Sequence, residues 1–240
     1  MFVKKQPLLD SGLLSGMTDI HAHLLPGVDD GAATDDEALR ILTYLAAIGV
    51  QRLWLTPHVM SDLKRNDRAF LEERFDRFRS VYAGPVDLRL GAEYMLDEKF
   101  PDRLQEGLLS YDGRHVLVET SYLYPPPDLQ GLLYEMTLNG YVPVIAHPER
   151  YVYMEEENYR LLKERECLFQ LNLLSLSGYY GKEAAMRCCR LLEKGWYDLA
   201  GSDIHGLRHK KAYENFSLKR KETEALRALL ARNRELWDGV

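Results

Sequence analysis

Short, almost uninterrupted apolar runs alternate with amphipathic helical segments along nearly the whole chain, and few folds accept that pattern. Runs this apolar suit strands buried on both faces, and strands separated by helices pair in parallel. Seven runs read as strands: 18–20, 52–56, 86–93, 116–120, 141–146, 168–173 and 198–202. Helices are expected between most of them. Thr34 with Glu37 three residues on forms a capping box, opening an amphipathic stretch through Leu39, Leu42, Leu45 and Ile48 that ends at Gly49. A charged helix is expected from Asp67 to Tyr82, and others over 128–139, 155–165 and 182–194, with a last one from Leu218 to about Leu236. Seven β-α units fit a barrel smaller than the usual eight. With 240 residues and no shift in composition to mark a linker, the chain reads as one domain, 1–240, carrying an extension at 1–16.

The ends of these runs carry chemistry. His21-Ala22-His23 closes the first, and a period of two puts both imidazoles on one face. Asp203 and His205 repeat that spacing after the seventh. Between them, His58, Glu93, Glu119 and His147 end runs two to five. Parallel α/β folds place their active groups at the C-terminal strand ends. Packing does not require six runs to end in His, Asp or Glu, so the set reads as a multinuclear metal site. Imidazoles and carboxylates without a thiolate suit Mn, Fe, Zn or Co, and so many donors suit two or three ions. Such clusters activate water and clamp the oxygens of a phosphoryl group. Taken alone, Glu93 and Glu119 could instead pair with Arg150 or Arg208, and His58 and His147, each beside a proline, could be turn residues. His115 begins a strand, and His209 lies in a basic surface run; neither is expected to act. Cys188 and Cys189 fall in a helical pattern and read as packing residues.

Several classes are excluded. The net charge of −6 argues against nucleic acid. No run approaches the roughly 20 apolar residues of a membrane span. The first sixteen residues lack a signal-peptide core, and three cysteines without a C-x-x-C motif suit a reducing compartment, so a cytoplasmic location is expected. The Cys-x5-Arg motif of thiol phosphatases is missing: the sixth residues after Cys167, Cys188 and Cys189 are Leu173, Lys194 and Gly195. Neither a G-x-S-x-G elbow nor a phosphate loop is present.

The motifs D-I-H-A-H, V-D-D-G-A, L-T-P-H, G-A-E-Y, the Val-Glu-Thr-Ser strand, A-H-P-E-R-Y and G-S-D-I-H, from Asp19 to about Arg208, occur in one order. This set resembles the polymerase and histidinol phosphatase superfamily, and within it the bacterial manganese-dependent protein-tyrosine phosphatases of capsule and exopolysaccharide clusters. The resemblance implies a distorted (β/α)7 barrel. It also implies that His21, His23, Glu93 and Asp203 hold one metal, with Glu93 bridging to a second held by Glu119 and His147. A third would lie among His58, His205 and an aspartate of the loop 28–31; spacing leaves Asp29 and Asp30 open, and Asp30 is favoured. Arg150 matches the phosphate-binding arginine, and Arg208 is the nearest candidate for a second one, after a shorter segment than the family's. The implied cofactor is Mn²⁺, as two or three ions. The implied partner is a phosphotyrosine protein, the tail of a bacterial autophosphorylating kinase. Two other readings are a small-molecule phosphomonoesterase such as a histidinol-phosphate phosphatase, and a scaffold module, which loss of ligands would betray.

Overall fold

The computed structural model describes residues 5–240. Two parallel sheets form its wall. The smaller joins β2 (Met17–Asp19), β3 (Val50–Leu55) and β5 (Asp87–Leu90) in that order. The larger runs β10 (Leu199–Gly201), β9 (Leu168–Asn172), β8 (Val142–Ala146), β7 (His115–Glu119), β6 (Glu93–Met95) and β4 (His58–Val59). The expected strand 86–93 is therefore two strands in different sheets. Gly91 and Ala92 break it, and beyond them Glu93 pairs with His58 and Leu117. The helix at 128–139 forms as α4 (Leu129–Leu138), with Asp128 accepting from Gly131 N–H at 2.9 Å.

At the other junction, β2 and β10 meet only at their C-terminal ends. A parallel bridge joins Ala22 to Ile204, His23 N–H donates to Ile204 C=O at 2.9 Å, and Asp203 N–H donates to His21 C=O at 2.8 Å. Below this junction, Asn233 of α8 (Arg220–Asp238) fills the gap. Its Nδ2 donates to Thr18 C=O at 2.9 Å and to Ala200 C=O at 2.5 Å, and its Oδ1 accepts from Ala200 N–H at 3.2 Å.

Both sheet faces are buried, as the near-continuous apolar runs require. On β3, Trp54 points to an inner core and Leu53 and Leu55 to an outer one; on β7, Leu117 points in and Val116 and Val118 out. Ile20, Tyr111, Val144, Ala146, Leu199 and Trp237 complete the inner plug. Arg89 lies 4.0 Å from the Trp237 ring and 5.6 Å from Trp54, sealing its lower end. The outer face is covered by helices including α1 (Asp35–Ala47) and α2 (Arg68–Val81), capped by Thr34 and Asp67. Glu37 reaches back to Ala33 N–H at 3.1 Å, one residue beyond the capping-box partner Thr34.

Two helices escape the periodicity reading: α3 (Phe100–Glu106) and α7 (Arg208–Asn215). The extension at 1–16 has a role from residue 5 onward. Strand β1 (Lys5–Pro7) pairs antiparallel with β11 (Ser217–Lys219), and Leu8, Leu13 and Leu14 are buried in the outer core. The last helix starts at Arg220 because Ser217–Lys219 is spent on that pairing. None of the described helices is long and apolar enough to cross a membrane.

Candidate metal centre

The C-terminal strand ends converge on one buried cluster. His21, His23, Glu93, Glu119, His147 and Asp203 are all at most 2% exposed. Close packing sets the backbone here. A Cβ at Gly31 would sit 1.9 Å from His23 C=O, and one at Gly201 would sit 2.7 Å from His21 Cβ, so both motif glycines are sterically required. His147 and Asp203 take left-handed backbone angles, with φ of 32° and 52°, which turns their side chains off the strand axis into the cluster.

Three groups bring ligand atoms within 4.8 Å of one another: His21, His23, Glu93 and Asp203; His58, Glu93 and Glu119; and His23, Asp30, His58 and His205. His147 lies outside these groups, although its Nε2 is 3.0 Å from Glu93 Oε1. His58 stands between two of them, with Nδ1 2.9 Å from Glu119 Oε1 and Nε2 3.6 Å from Asp30 Oδ1. The two aspartates of the loop diverge. Asp30 points to His58 and to His205 Nε2, 3.5 Å away. Asp29 instead accepts from the backbone N–H of Gly31 and His58 and lies 2.9 Å from His23 Nδ1.

Outer partners decide which imidazole nitrogens face inward. Gln170 Nε2 donates to Leu171 C=O and Oε1 accepts from His147 N–H, which settles its orientation. Its Oε1 then lies 3.0 Å from His21 Nδ1, so that nitrogen carries the proton. Asp29 does the same for His23. In their neutral forms, both Nε2 lone pairs therefore point inward, 3.0 Å apart. Glu93 Oε2 is 3.2 Å from both and Asp203 Oδ1 is 3.3 Å from both. Four acceptors converge with no donor among them, and both Glu93 oxygens lack a well-formed hydrogen bond. Only positive charge stabilises such a point, and a His/carboxylate set without thiolate fits a divalent cation.

The electrostatics agree. Burial alone would pull the His21 imidazole down, but Glu93 and Asp203 beside it carry it up to about 9. Burial likewise works against charge on Glu93 and Asp203, yet His21 and its neighbours hold both well below the usual carboxylate range. Asp19, behind His21, is raised to about 6 by burial even though it accepts from Ser202 N–H at 2.9 Å.

Arg150 borders the cluster. Its Nη1 donates to Asp203 Oδ2 at 2.8 Å, and its Cζ lies 4.5 Å from the Tyr122 ring centre and 4.1 Å from that of Tyr180. Asp203 Oδ2 also accepts from Asn172 Nδ2 at 2.8 Å. The Asn172 backbone N–H donates to buried Glu149, which accepts from Tyr197 OH as well. Arg208 is exposed at the start of α7 and enters none of the cluster's hydrogen bonds or ion pairs among the described residues. His209 corrects a sequence expectation: it is 3% exposed, not on the surface. Its Nδ1 accepts from His205 N–H at 3.3 Å, and burial pushes it down to about 4. Helix α7 turns it inward, and a basic run hid that. Gln170, Asn172, Glu149 and Tyr180 were missed altogether. The available signal was two polar residues inside the apolar strand Leu-Phe-Gln-Leu-Asn.

A sequence profile described as capsular polysaccharide synthesis, CpsB/CapC, matches residues 17–235. The chain belongs to the CpsB/CapC family. Among its relatives in that family, the tyrosine-protein phosphatase YwqE of Bacillus subtilis (strain 168) is 30% identical over 230 residues, covering 92% of this chain and 91% of that protein. The tyrosine-protein phosphatase CpsB of Streptococcus pneumoniae is 28% identical over 209 residues, covering 82% and 86%. A solved structure from work on YwqE and CpsB, described as unique metal-dependent tyrosine phosphatases, superposes with a TM-score of 0.80 at 26% identity. It covers 93% of this chain and 95% of its own. Beyond the CpsB/CapC family, the inactive dihydroorotase-like domain of a Chaetomium thermophilum CAD-like protein shares the fold, with a TM-score of 0.57 at 12% identity.

Proposed function

We propose that this chain is a metal-dependent protein-tyrosine phosphatase serving capsule or exopolysaccharide synthesis. The observation that carries the reading is the convergence of His21, His23, Glu93 and Asp203 acceptors on one point, in a chain of the CpsB/CapC family. Beside that point, His58, Glu119, His147, Asp30 and His205 supply donors for one or two further ions. Bound divalent ions, with Mn²⁺ suiting this nitrogen and oxygen set, activate water and draw charge from the phosphoryl oxygens. The alternating inner and outer strand faces and the bridge between Ala22 and Ile204 support a distorted seven-stranded barrel, formed by the chain as one domain.

The chain's own residues do the rest. Arg150 is the phosphate-binding arginine. Asp203 holds one of its N–H groups, and the other donors of the guanidinium fork are free for phosphoryl oxygens. No phosphate contact is assigned to exposed Arg208. A tyrosine phenol ordinarily ionises near a pKa of about 10, so as a leaving group it needs less protonation than a serine alkoxide. Tyr122 lies beside Arg150 and His147, and Tyr122, Leu123 and Tyr124 are 39–65% exposed, which suits an extended segment such as a kinase tail.

The test combines metal analysis with turnover of p-nitrophenyl phosphate, of phosphotyrosyl, phosphoseryl and phosphothreonyl peptides, and of histidinol phosphate. Turnover only with a divalent ion, best on phosphotyrosyl peptide, is expected. Cys188, buried in α6 (Lys182–Glu193), has its thiol pushed well up by burial, so Cys188→Ser retains turnover. Activity that survives chelation and needs a cysteine overturns the reading, and preference for histidinol phosphate transfers the chain to small-molecule hydrolysis.

A further inference from the structure

We propose that Tyr122 and Tyr180 clamp the Arg150 guanidinium between two aromatic faces, as positioning residues that aim its free edge at the phosphoryl group. This deepens the phosphatase reading and rests on it. The two rings come from different loops, after β7 and after β9, and their centres lie 4.5 and 4.1 Å from Arg150 Cζ. Hydrophobic burial does not account for Tyr122, which is 39% exposed. Its ring is held nonetheless, 5.8 Å from the His147 ring and 6.1 Å from Tyr151.

The consequence for Arg150 follows from its chemistry. A free arginine samples many rotamers, and ordering it during binding weakens affinity. Here, two rings lie within 4.5 Å of the guanidinium carbon, and Asp203 pins Nη1 at 2.8 Å. Of five N–H donors, that is the one with a protein acceptor among the described residues. The others have no protein acceptor among the described residues and remain available to an oxyanion. A tyrosine phenol is neutral at ordinary pH, so the clamp presents neutral π faces and no competing phenolate.

The π faces carry this role, so removing a ring and removing only its hydroxyl must differ. Tyr122→Leu and Tyr180→Leu are expected to raise KM for p-nitrophenyl phosphate and the inhibition constant of inorganic phosphate about tenfold, equivalent to about 1.4 kcal/mol. Metal content should stay at the wild-type value, and Tyr122→Phe and Tyr180→Phe should restore both constants. The clamp is overturned if the Leu variants keep wild-type phosphate inhibition, or if Phe is no better than Leu. Should Tyr180→Leu fail to fold, the half-exposed Tyr122 pair decides by itself. Inorganic phosphate binding measured by calorimetry on the metal-loaded protein separates the two claims. A wild type without turnover sinks the phosphatase reading, while the order of phosphate affinities, wild type and Phe above Leu, still judges the clamp.

Discussion

A neutral amide stands behind His21 and a carboxylate behind His23, so the two members of one H-x-H pair are not equivalent. Gln170 holds His21 in the tautomer that turns Nε2 inward, and the same oxygen accepts from His147 N–H. Outer partners of this kind typically affect metal affinity by about 10–100-fold. Gln170→Leu is therefore expected to lower metal affinity by about that factor, because the His21 tautomer is released and a buried N–H loses its acceptor. Competition against a chelator of known affinity measures it, and an unchanged dissociation constant would refute the role. Asp29 and Asp30 make the complementary point. Adjacent in a glycine-terminated loop, they could not be told apart by spacing. In the folded chain, one backs His23 and the other faces His58 and His205. The difference arises because Gly31 lets the loop press against His23 C=O, a contact no local pattern announces.

At the scale of elements, α8 does what a strand pair does elsewhere. Strands β2 and β10 meet only at their ends, and Asn233 supplies the hydrogen bonds that pairing would have made. Asn233→Leu leaves the Ala200 N–H and two carbonyls without this partner in a fully buried place. Each unpaired group costs about 1–3 kcal/mol, so a loss of at least about 3 kcal/mol is expected. Urea unfolding of the variant against wild type tests this, and a midpoint shift worth under about 1 kcal/mol would show that water or strand rearrangement replaces Asn233. Most elements were legible because apolar periodicity reports burial: α1, α2, α4 and the strands β7 to β9 form within a few residues of expectation. Strand 86–93 was not, because the Gly91-Ala92 break passes the chain from one sheet to the other. Helix α7 was obscured by its basic composition, although His209 and Tyr213 make its buried side.

For the whole molecule, the buried cluster concentrates acids and imidazoles that oppose one another until positive charge is supplied. Binding to the folded chain alone stabilises it by RT ln(1 + [L]/Kd), about 4 kcal/mol at a thousandfold excess over Kd. For a chain of this size, that corresponds to a rise in Tm on the order of 10 °C. Thermal unfolding with Mn²⁺, then after chelation, should show a difference that grows with metal concentration. A Tm indifferent to both would mean that the cluster binds no ion tightly in the folded state.

Alternation of strands and helices, and acids or imidazoles at the strand ends, were determined by the sequence alone. Periodicity and spacing are local properties that any segment displays without its neighbours. Family membership was equally legible, since seven ordered motifs span most of the chain and the CpsB/CapC profile covers the same stretch. The tertiary structure decided what depends on partners distant in sequence. Asp203 meets His21 and Arg150, Gln170 backs His21, Tyr180 reaches Arg150, and residues 5–7 pair with 217–219. It also left Arg208 outside the cluster and buried His209 beneath it. Such placements arise from chain closure and close packing, which fix distances between segments that carry no periodic record of each other.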